Sequence, residues 1–310
     1  MKGIELSRQF YQETINSVFC GVLEPLRQLA AVGLVGEGSE CHGWDDELSK
    51  DHDFGPDYCI WVPEQVYRSV GAELEKRYAS LPEIYCGYKR GNSRLLNQRR
   101  GIMTVEGFYQ KYTGLTHPPE TAMEWLQIPE CFLAIATNGT VYEDTYGKFS
   151  DWRKVLLQYY PQDVYRKKLA SCITRMGQAG QYNYIRCCQR EQYDGAYMAG
   201  GEFIKATLSA VYLLNRCYQP FYKWSFYGTG SFSRLTDVVQ TMKVFIQLPD
   251  NAANKEQKIQ LIETICSRTA EILRADGLSN TSDNFMVMHG SSIADQIQDG
   301  LLRKRPILAD

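Results

Sequence analysis

Gly36-Glu37-Gly38-Ser39-Glu40-Cys41-His42-Gly43-Trp44-Asp45-Asp46-Glu47-Leu48-Ser49-Lys50-Asp51-His52-Asp53-Phe54-Gly55-Pro56-Asp57 is the stretch around which the chain is organised. A Gly-Ser pair leads into an acidic spacer, and the stretch closes on Asp51-His52-Asp53-Phe54. The apolar run Tyr58-Cys59-Ile60-Trp61-Val62 that follows predicts a buried strand. With that register carried back to residue 51, the period of two places Asp51 and Asp53 on one face and turns His52 and Phe54 toward a core. Two carboxylates on one face repel and shift each other's pKa values, a cost that a cation between them relieves. An all-oxygen pair suits a hard ion, magnesium (or manganese), which also takes phosphate oxygens. Upstream, Gly38 and Ser39 offer backbone amides and a hydroxyl that suit a phosphate. A phosphate cradle followed by a metal-holding carboxylate pair points to nucleotide chemistry. Taken singly, Asp-x-Asp is also a solvated turn and Gly-x-Gly-Ser an ordinary loop; the signal is their combination at this spacing.

The pattern resembles the signature of the polymerase-beta-type nucleotidyltransferase superfamily: a hydrophobic residue, Gly, Gly or Ser, a spacer of about a dozen residues, then Asp-x-Asp. Its longer form, through Gly36, Gly38, Ser39, Glu40, Gly43, Asp45, Asp46, Ser49, Asp51, His52, Asp53, Gly55 and Pro56, is similar to a nucleotidyltransferase-like family catalogued as domain of unknown function 4037. Three later segments extend the likeness: Thr137 to Asp144, Tyr159 to Val164, and Tyr218 to Trp224. The resemblance implies an α+β fold: a nucleotidyltransferase-type mixed sheet with flanking helices over residues 1–148, then a mainly α-helical domain over 149–310. It implies a metal ion between Asp51 and Asp53 and the terminal phosphates of an NTP, with ATP expected, on Gly38 and Ser39. Many active members of the superfamily carry a third carboxylate on a neighbouring strand. Glu106 and Asp144 are the candidates, and one of them would take the acceptor proton. Neither has hydrophobic flanks on both sides, and each also reads as an ordinary turn acid. Asp45 and Asp46 are expected either to support the site residues from behind or to hold the loop.

A chain of 310 residues is long enough for a substantial core and two domains. Its net charge of -2 gives no overall basic field, which disfavours a long nucleic acid as the main partner. Ten cysteines without a Cys-x-x-Cys pair or a zinc-like His spacing read as buried free thiols in a reducing cytoplasm. No signal peptide and no membrane-spanning run are expected. Oligomeric state is left open.

In chain order, residues 4–32 read as helix with a break at Pro25, followed by a short strand at 32–35. Pro63-Glu64 starts a helix whose buried stripe is Val66, Val70, Leu74 and Tyr78. Residues 87–101 concentrate Lys89, Arg90, Arg94, Arg99 and Arg100 with Asn92 and Asn97. They are either a solvated face or a cationic contact for a triphosphate or acidic acceptor. A strand is expected at Ile102 to Glu106 and a hairpin over 132–142 with Asn138-Gly139 at its turn. From about Phe149 the pattern is helical. Asn183, Arg186 and Arg190 fall on one helix face, either plain surface or a lining for acceptor or triphosphate. Lys223, among aromatics, is either a snorkelling surface lysine or a phosphate ligand. His289 reads as structural.

The expected function is metal-dependent transfer of an NMP from an NTP to a hydroxyl of a small-molecule acceptor, with release of pyrophosphate. The alternatives are transfer to a protein or RNA end, or a catalytically silent nucleotide-binding protein.

Overall fold

The computed structural model describes residues 1–49, 54–91 and 99–309. The chain is α+β, a small mixed sheet with many helices. It divides into two compact units, Met1–Pro119 with Phe132–Gln158, and Glu120–Cys131 with Tyr159–Asp310. The boundary expected at 148/149 falls at the start of helix Lys148–Leu157, which lies whole in the first unit.

The first unit opens with helix α1 (Gly3–Val18). The break expected at Pro25 falls earlier: α1 ends at Val18, and a 3-10 segment, Gly21–Leu29, follows with Pro25, which lacks a backbone donor, inside it. Strands β1 (Ala31–Leu34) and β2 (Cys59–Val62) are antiparallel. Helix α2 (Glu64–Ala79) starts from Pro63, as its sequence predicts. A small hairpin, β3 (Ile84–Tyr85) and β4 (Tyr88–Lys89), precedes β5 (Gly101–Thr104), which runs parallel to β2. Helix α3 (Val105–Thr113) follows directly. After α4 (Ala122–Gln127) of the other unit come α5 (Glu130–Thr137), β6 (Thr140–Asp144) and α6 (Lys148–Leu157). Strand order is β5-β2-β1-β6.

All four residues of β2 are buried, so the sheet is covered on both faces and the strand reads as a continuous apolar run. Ile60 and Val62 join Phe10, Val18, Val32, Leu74 and Tyr78 on one side. Trp61 points the other way, stacks on Phe149 at 4.0 Å and meets the edge of Phe108 at 5.4 Å. Tyr109 and Trp152 extend that second layer, stacked at 4.4 Å.

Three expected elements differ from those observed. The strand expected over 102–106 stops at Thr104, whose hydroxyl accepts from the Gly107 amide at 2.9 Å and caps α3. Glu106 therefore sits in a helix, not on a strand. The hairpin expected over 132–142 is instead α5 followed by β6. Leu133, Ala134 and Ala136 are its buried residues, and Asn138-Gly139, legible as a hairpin turn, ends the helix. The strand expected from Asp51 begins only at Cys59. Residues 54–58 are bends and irregular backbone, so β2 does not run back through them; Asp51 and Asp53 lie outside the described residues.

The second unit is helical. Its centre is α7 (Gln162–Met176), which packs against α9 (Tyr193–Leu214) and α13 (Met286–Ala294). Between α7 and α8 (Ile185–Gln189) lies a π-helical stretch, Gly177–Tyr184. Helices α10 (Ser225–Gly228), α11 (Thr236–Gln247), α12 (Lys255–Ala275) and α14 (Gly300–Lys304) complete it. Buried Lys258 pairs with Asp250 at 2.7 Å, and Tyr184 donates to the same carboxylate at 2.6 Å. His289 is fully buried between Ser279 Oγ at 2.8 Å and the Asp283 carbonyl at 2.7 Å, the structural role its sequence context suggests.

Candidate functional site

Strand direction sorts the candidate residues between the two ends of the sheet. β1 runs antiparallel to β2 and β6, and β5 runs parallel to β2. The end of β1 at Leu34 therefore lies beside the starts of β2, β5 and β6. The turn that follows β1, Gly36 to Trp44, shares that end with Asp57, Arg99, Arg100 and Asn138.

Local hydrogen bonds fix this turn. The amides of Cys41 and His42 donate to the Gly38 and Ser39 carbonyls at 3.3 and 3.1 Å, and Trp44 N also reaches Ser39 O at 3.0 Å. Gly38 has φ +119, a conformation that side chains rarely adopt, and a Cβ there would lie 2.4 Å from both carboxylate oxygens of Glu40. Asn138 grips the turn's start: Gly36 N donates to its Oδ1 at 2.9 Å, and its Nδ2 donates to Gly36 O at 2.8 Å. The same Nδ2 meets His42 Nε2 at 3.1 Å. His42 stacks on Trp44 at 4.4 Å, and burial lowers its pKa to about 4.

Two carboxylates of the turn are held by cations from the segment before β5 and from α3. Buried Arg100 pairs with Glu40 and also donates to Glu37 O at 3.0 Å and Cys41 Sγ at 3.3 Å. The Glu37 carboxylate accepts from Arg99 Nε at 3.0 Å and Tyr112 Oη at 3.3 Å, and pairs with Lys111 at 2.8 Å. Burial would raise the Glu37 pKa, but Lys111 and Arg99 outweigh it and hold the carboxyl below its ordinary value. Among the described residues, the Ser39 hydroxyl and the Gly38 and Ser39 amides have no hydrogen-bond partner. These three donors suit a phosphate or another anion.

The remaining motif residues hold the loop. Gly3 N donates to Asp45 Oδ2 at 3.0 Å, tying the loop to the start of α1. Asp46 Oδ1 accepts from the Ser49 amide and hydroxyl, each at 2.9 Å. Asp57 takes Arg90 at 2.7 Å and Gly91 N at 3.0 Å, so Arg90 is a structural cation. Lys89 pairs with Glu83 at 2.9 Å. Arg94, Asn92 and Asn97 lie outside the described residues.

The fold does not bring Glu106 or Asp144 to the turn. Asp144 pairs in register with Ala31, while Thr140 pairs with Leu34, so Asp144 is at the opposite end of β1. Its carboxylate accepts from Gly147 N at 2.8 Å and Ser150 N at 2.7 Å and caps α6. Glu106 follows the far end of β5 and pairs with Lys148. Neither candidate third acid faces Gly38 and Ser39 across this sheet, whose strands of four or five residues span about 13–17 Å.

The other expected nucleotide contacts belong to the second unit. Arg186 Nη1 donates to Tyr182 Oη at 2.6 Å, and the guanidinium lies over that ring. The π-helical turn through Asn183 breaks the three-and-four spacing that would align Asn183 with Arg186 and Arg190. Arg190 is the residue that ends α8. Lys223 is exposed, its Nζ 5.4 Å from the Trp224 ring centroid. Among the described residues, no group of three or more His, Cys, Asp or Glu is placed to hold a metal ion, and no helix is long and apolar enough to cross a membrane.

Sequence reasoning missed Glu37, Arg100, Asn138 and His42 as parts of this assembly. The available signals were the acid between Gly36 and Gly38 and the Asn-Gly pair ahead of β6, but a hairpin reading explained the latter first.

The model of a family described as Domain of unknown function (DUF4037) matches residues 125–225. That range includes Asn138, β6, Tyr159 to Val164 and Tyr218 to Trp224; the Gly36 turn precedes it. No curated protein and no solved structure matches the chain.

Proposed function

We propose that the protein is a metal-dependent nucleotidyltransferase that moves an NMP from an NTP, with ATP the expected donor, to a hydroxyl of a small-molecule acceptor and releases pyrophosphate. The observation that carries this reading is the turn at Gly38-Ser39. It is held from behind by Asn138 and Arg100, while its two amides and one hydroxyl have no partner among the described residues. β2 starts at that same sheet end, and Asp51 and Asp53 precede it in sequence.

The described residues fit the phosphate part of such a site, since uncommitted donors at a preorganised turn are what phosphate oxygens need. For the metal the donor chemistry is that of Asp51 and Asp53, which would hold magnesium or manganese. When bound, the ion offsets charge on the triphosphate. Gly38 and Ser39 would bind and orient the terminal phosphates so that the acceptor oxygen meets the α-phosphorus in line. The new oxygen–phosphorus bond forms as the bond to pyrophosphate breaks, and the acceptor proton is released. Phosphoryl transfer depends mostly on positioning and charge, so a fixed turn is a suitable device for it. The acceptor proton is assigned to neither Glu106 nor Asp144, given their place at the other sheet end.

That placement favours one second reading, a nucleotide-binding protein without transfer activity. Transfer to an RNA end is less supported, because Lys89, Arg90, Arg99 and Arg100 are each paired with a carboxylate. Calorimetry of each NTP with magnesium tests the proposal, using wild type, Ser39→Ala and Asp51→Asn/Asp53→Asn. Magnesium-dependent binding of one NTP, weakened in the first variant and lost in the second, supports the site. Absence of binding by every NTP under both metals removes it. Binding without pyrophosphate release across an acceptor screen selects the silent reading.

A further inference from the structure

The first unit contains a cavity of about 370 Å³ between α2, β5 and α3. Its size falls within the range of about 300–1,000 Å³ usual for small-molecule sites. Tyr67, Met103 and Phe108 give it flat and apolar walls, and Arg99 and Lys111 supply cations. Glu64 also lines it, with its carboxylate taken up by Arg68 at 3.0 Å.

Among the described residues, both cavity cations and the Tyr112 hydroxyl meet the Glu37 carboxylate of the chain itself. This arrangement is exchangeable. Side-chain exposure is 30% for Arg99, 42% for Lys111 and 31% for Glu37, and ion pairs that water reaches are weak. A ligand anion that replaces Glu37 at these cations gives up only such weak pairs, and an attached apolar body gains the burial that Glu37 does not provide. Buried Arg100, in contrast, holds Glu40 from the back of the turn and is not a cavity residue.

We propose that this cavity binds a small organic anion carrying one flat apolar ring, its carboxylate or phosphate displacing the Glu37 side chain from Arg99 and Lys111. Glu37 then acts as a built-in competitor for the ligand. Because Glu37 directly precedes Gly38, occupancy of the cavity bears on the Gly38-Ser39 turn. The inference stands on the cavity and its cations and does not depend on the nucleotide reading.

The test uses phenyl phosphate and phenylacetate, with phenol as the neutral control, on the full chain without nucleotide or metal. Calorimetry gives affinity, and the Met103 methyl NMR signal reports the location. The expected result is binding of at least one anion with a shift at Met103, and none by phenol. Affinity should rise about tenfold in Glu37→Gln, fall at least tenfold in Lys111→Ala, and vanish in Met103→Trp, which fills the cavity. Lys111 is solvent-reaching, so its variant folds, and its result stands even where another variant does not. If one anion alone binds, it identifies the ligand as carboxylate or phosphate. The proposal is overturned if neither anion binds wild type or Glu37→Gln at millimolar concentration. It is equally overturned if binding is indifferent to Lys111→Ala or leaves the Met103 methyl unshifted.

Discussion

Asn138 holds the backbone of Gly36 by both polar groups, accepting from its amide at 2.9 Å and donating to its carbonyl at 2.8 Å, across 102 residues of chain. Backbone chemistry fixes which amide atom is which, since a peptide N–H only donates and a carbonyl only accepts. Nδ2 is thereby also a donor toward His42, which requires an unprotonated Nε2. Asn138→Ala leaves two polar groups of a buried glycine without partners, each costing about 1–3 kcal/mol. Urea denaturation should show a loss of at least about 2 kcal/mol for this variant. Asn138→Asp should also weaken the fold, because its second oxygen opposes the Gly36 carbonyl. Full stability in both variants would dismiss the clamp.

His42 makes that clamp sensitive to acid. Its folded pKa is depressed to about 4 by burial, against 6.5 for the free side chain. Between these values the unfolded chain binds the extra proton, so the contribution is complete above pH 6.5 and is lost as pH falls toward 4. Over the full window the effect is on the order of 3 kcal/mol. Comparing wild type with His42→Gln at pH 7 and pH 5 isolates it from the carboxylates. The wild type should lose more stability than the variant; equal losses would show that His42 titrates normally.

How much of this was legible in the sequence follows from which interactions are local. β2 and the start of α2 were readable, because an all-apolar run and a Pro-Glu start act within a few residues. The Gly38-Ser39 turn was also readable, because a glycine at positive φ beside a hydroxyl is a local signature. The nature of α5 was not: Phe132 to Ala136 has too short an apolar period to separate strand from helix, and Asn138-Gly139 serves either as hairpin turn or helix stop. The end of the sheet to which Glu106 and Asp144 belong was not legible either. That depends on β5 being parallel to β2 and β6 antiparallel to β1, which no spacing within those segments encodes. The partners of Glu37 and Glu40 were hidden for the same reason, since Arg99 and Arg100 lie about 60 residues away in sequence.

Gly139 tests the same turn from its other side. A Cβ there would lie 1.9 Å from the Leu34 carbonyl oxygen, and its φ is +65. Gly43 has a similar φ of +70 but open space around it. Gly43→Ala should therefore cost only the left-handed backbone penalty, about 1–2 kcal/mol. Gly139→Ala must also part β1 from β6, and a loss of about 4 kcal/mol or more, or failure to fold, is expected. Thermal melts of the two variants side by side decide this, and similar melting temperatures would contradict the close approach.

Cysteine reactivity gives a measure of the same region in solution. Burial pushes the Cys41 thiol up to about 12 and the Cys59 thiol up to about 11, while Cys20 and Cys86 are exposed. The thiolate is the species that alkylates, so both buried thiols are almost entirely unreactive at pH 8. Native labelling with iodoacetamide, read by peptide mass spectrometry, should modify Cys20 and Cys86 first and leave Cys41 and Cys59 until the unit unfolds. Arg100 sits 3.3 Å from Cys41 Sγ and seals the turn from behind. Arg100→Lys keeps the charge but loses the forked donors that join Glu40 to the Glu37 carbonyl. In that variant Cys41 should label at least tenfold faster than in wild type, while Cys20 labels at an unchanged rate. Equal Cys41 rates in the two proteins would mean that Arg100 is not what closes the turn.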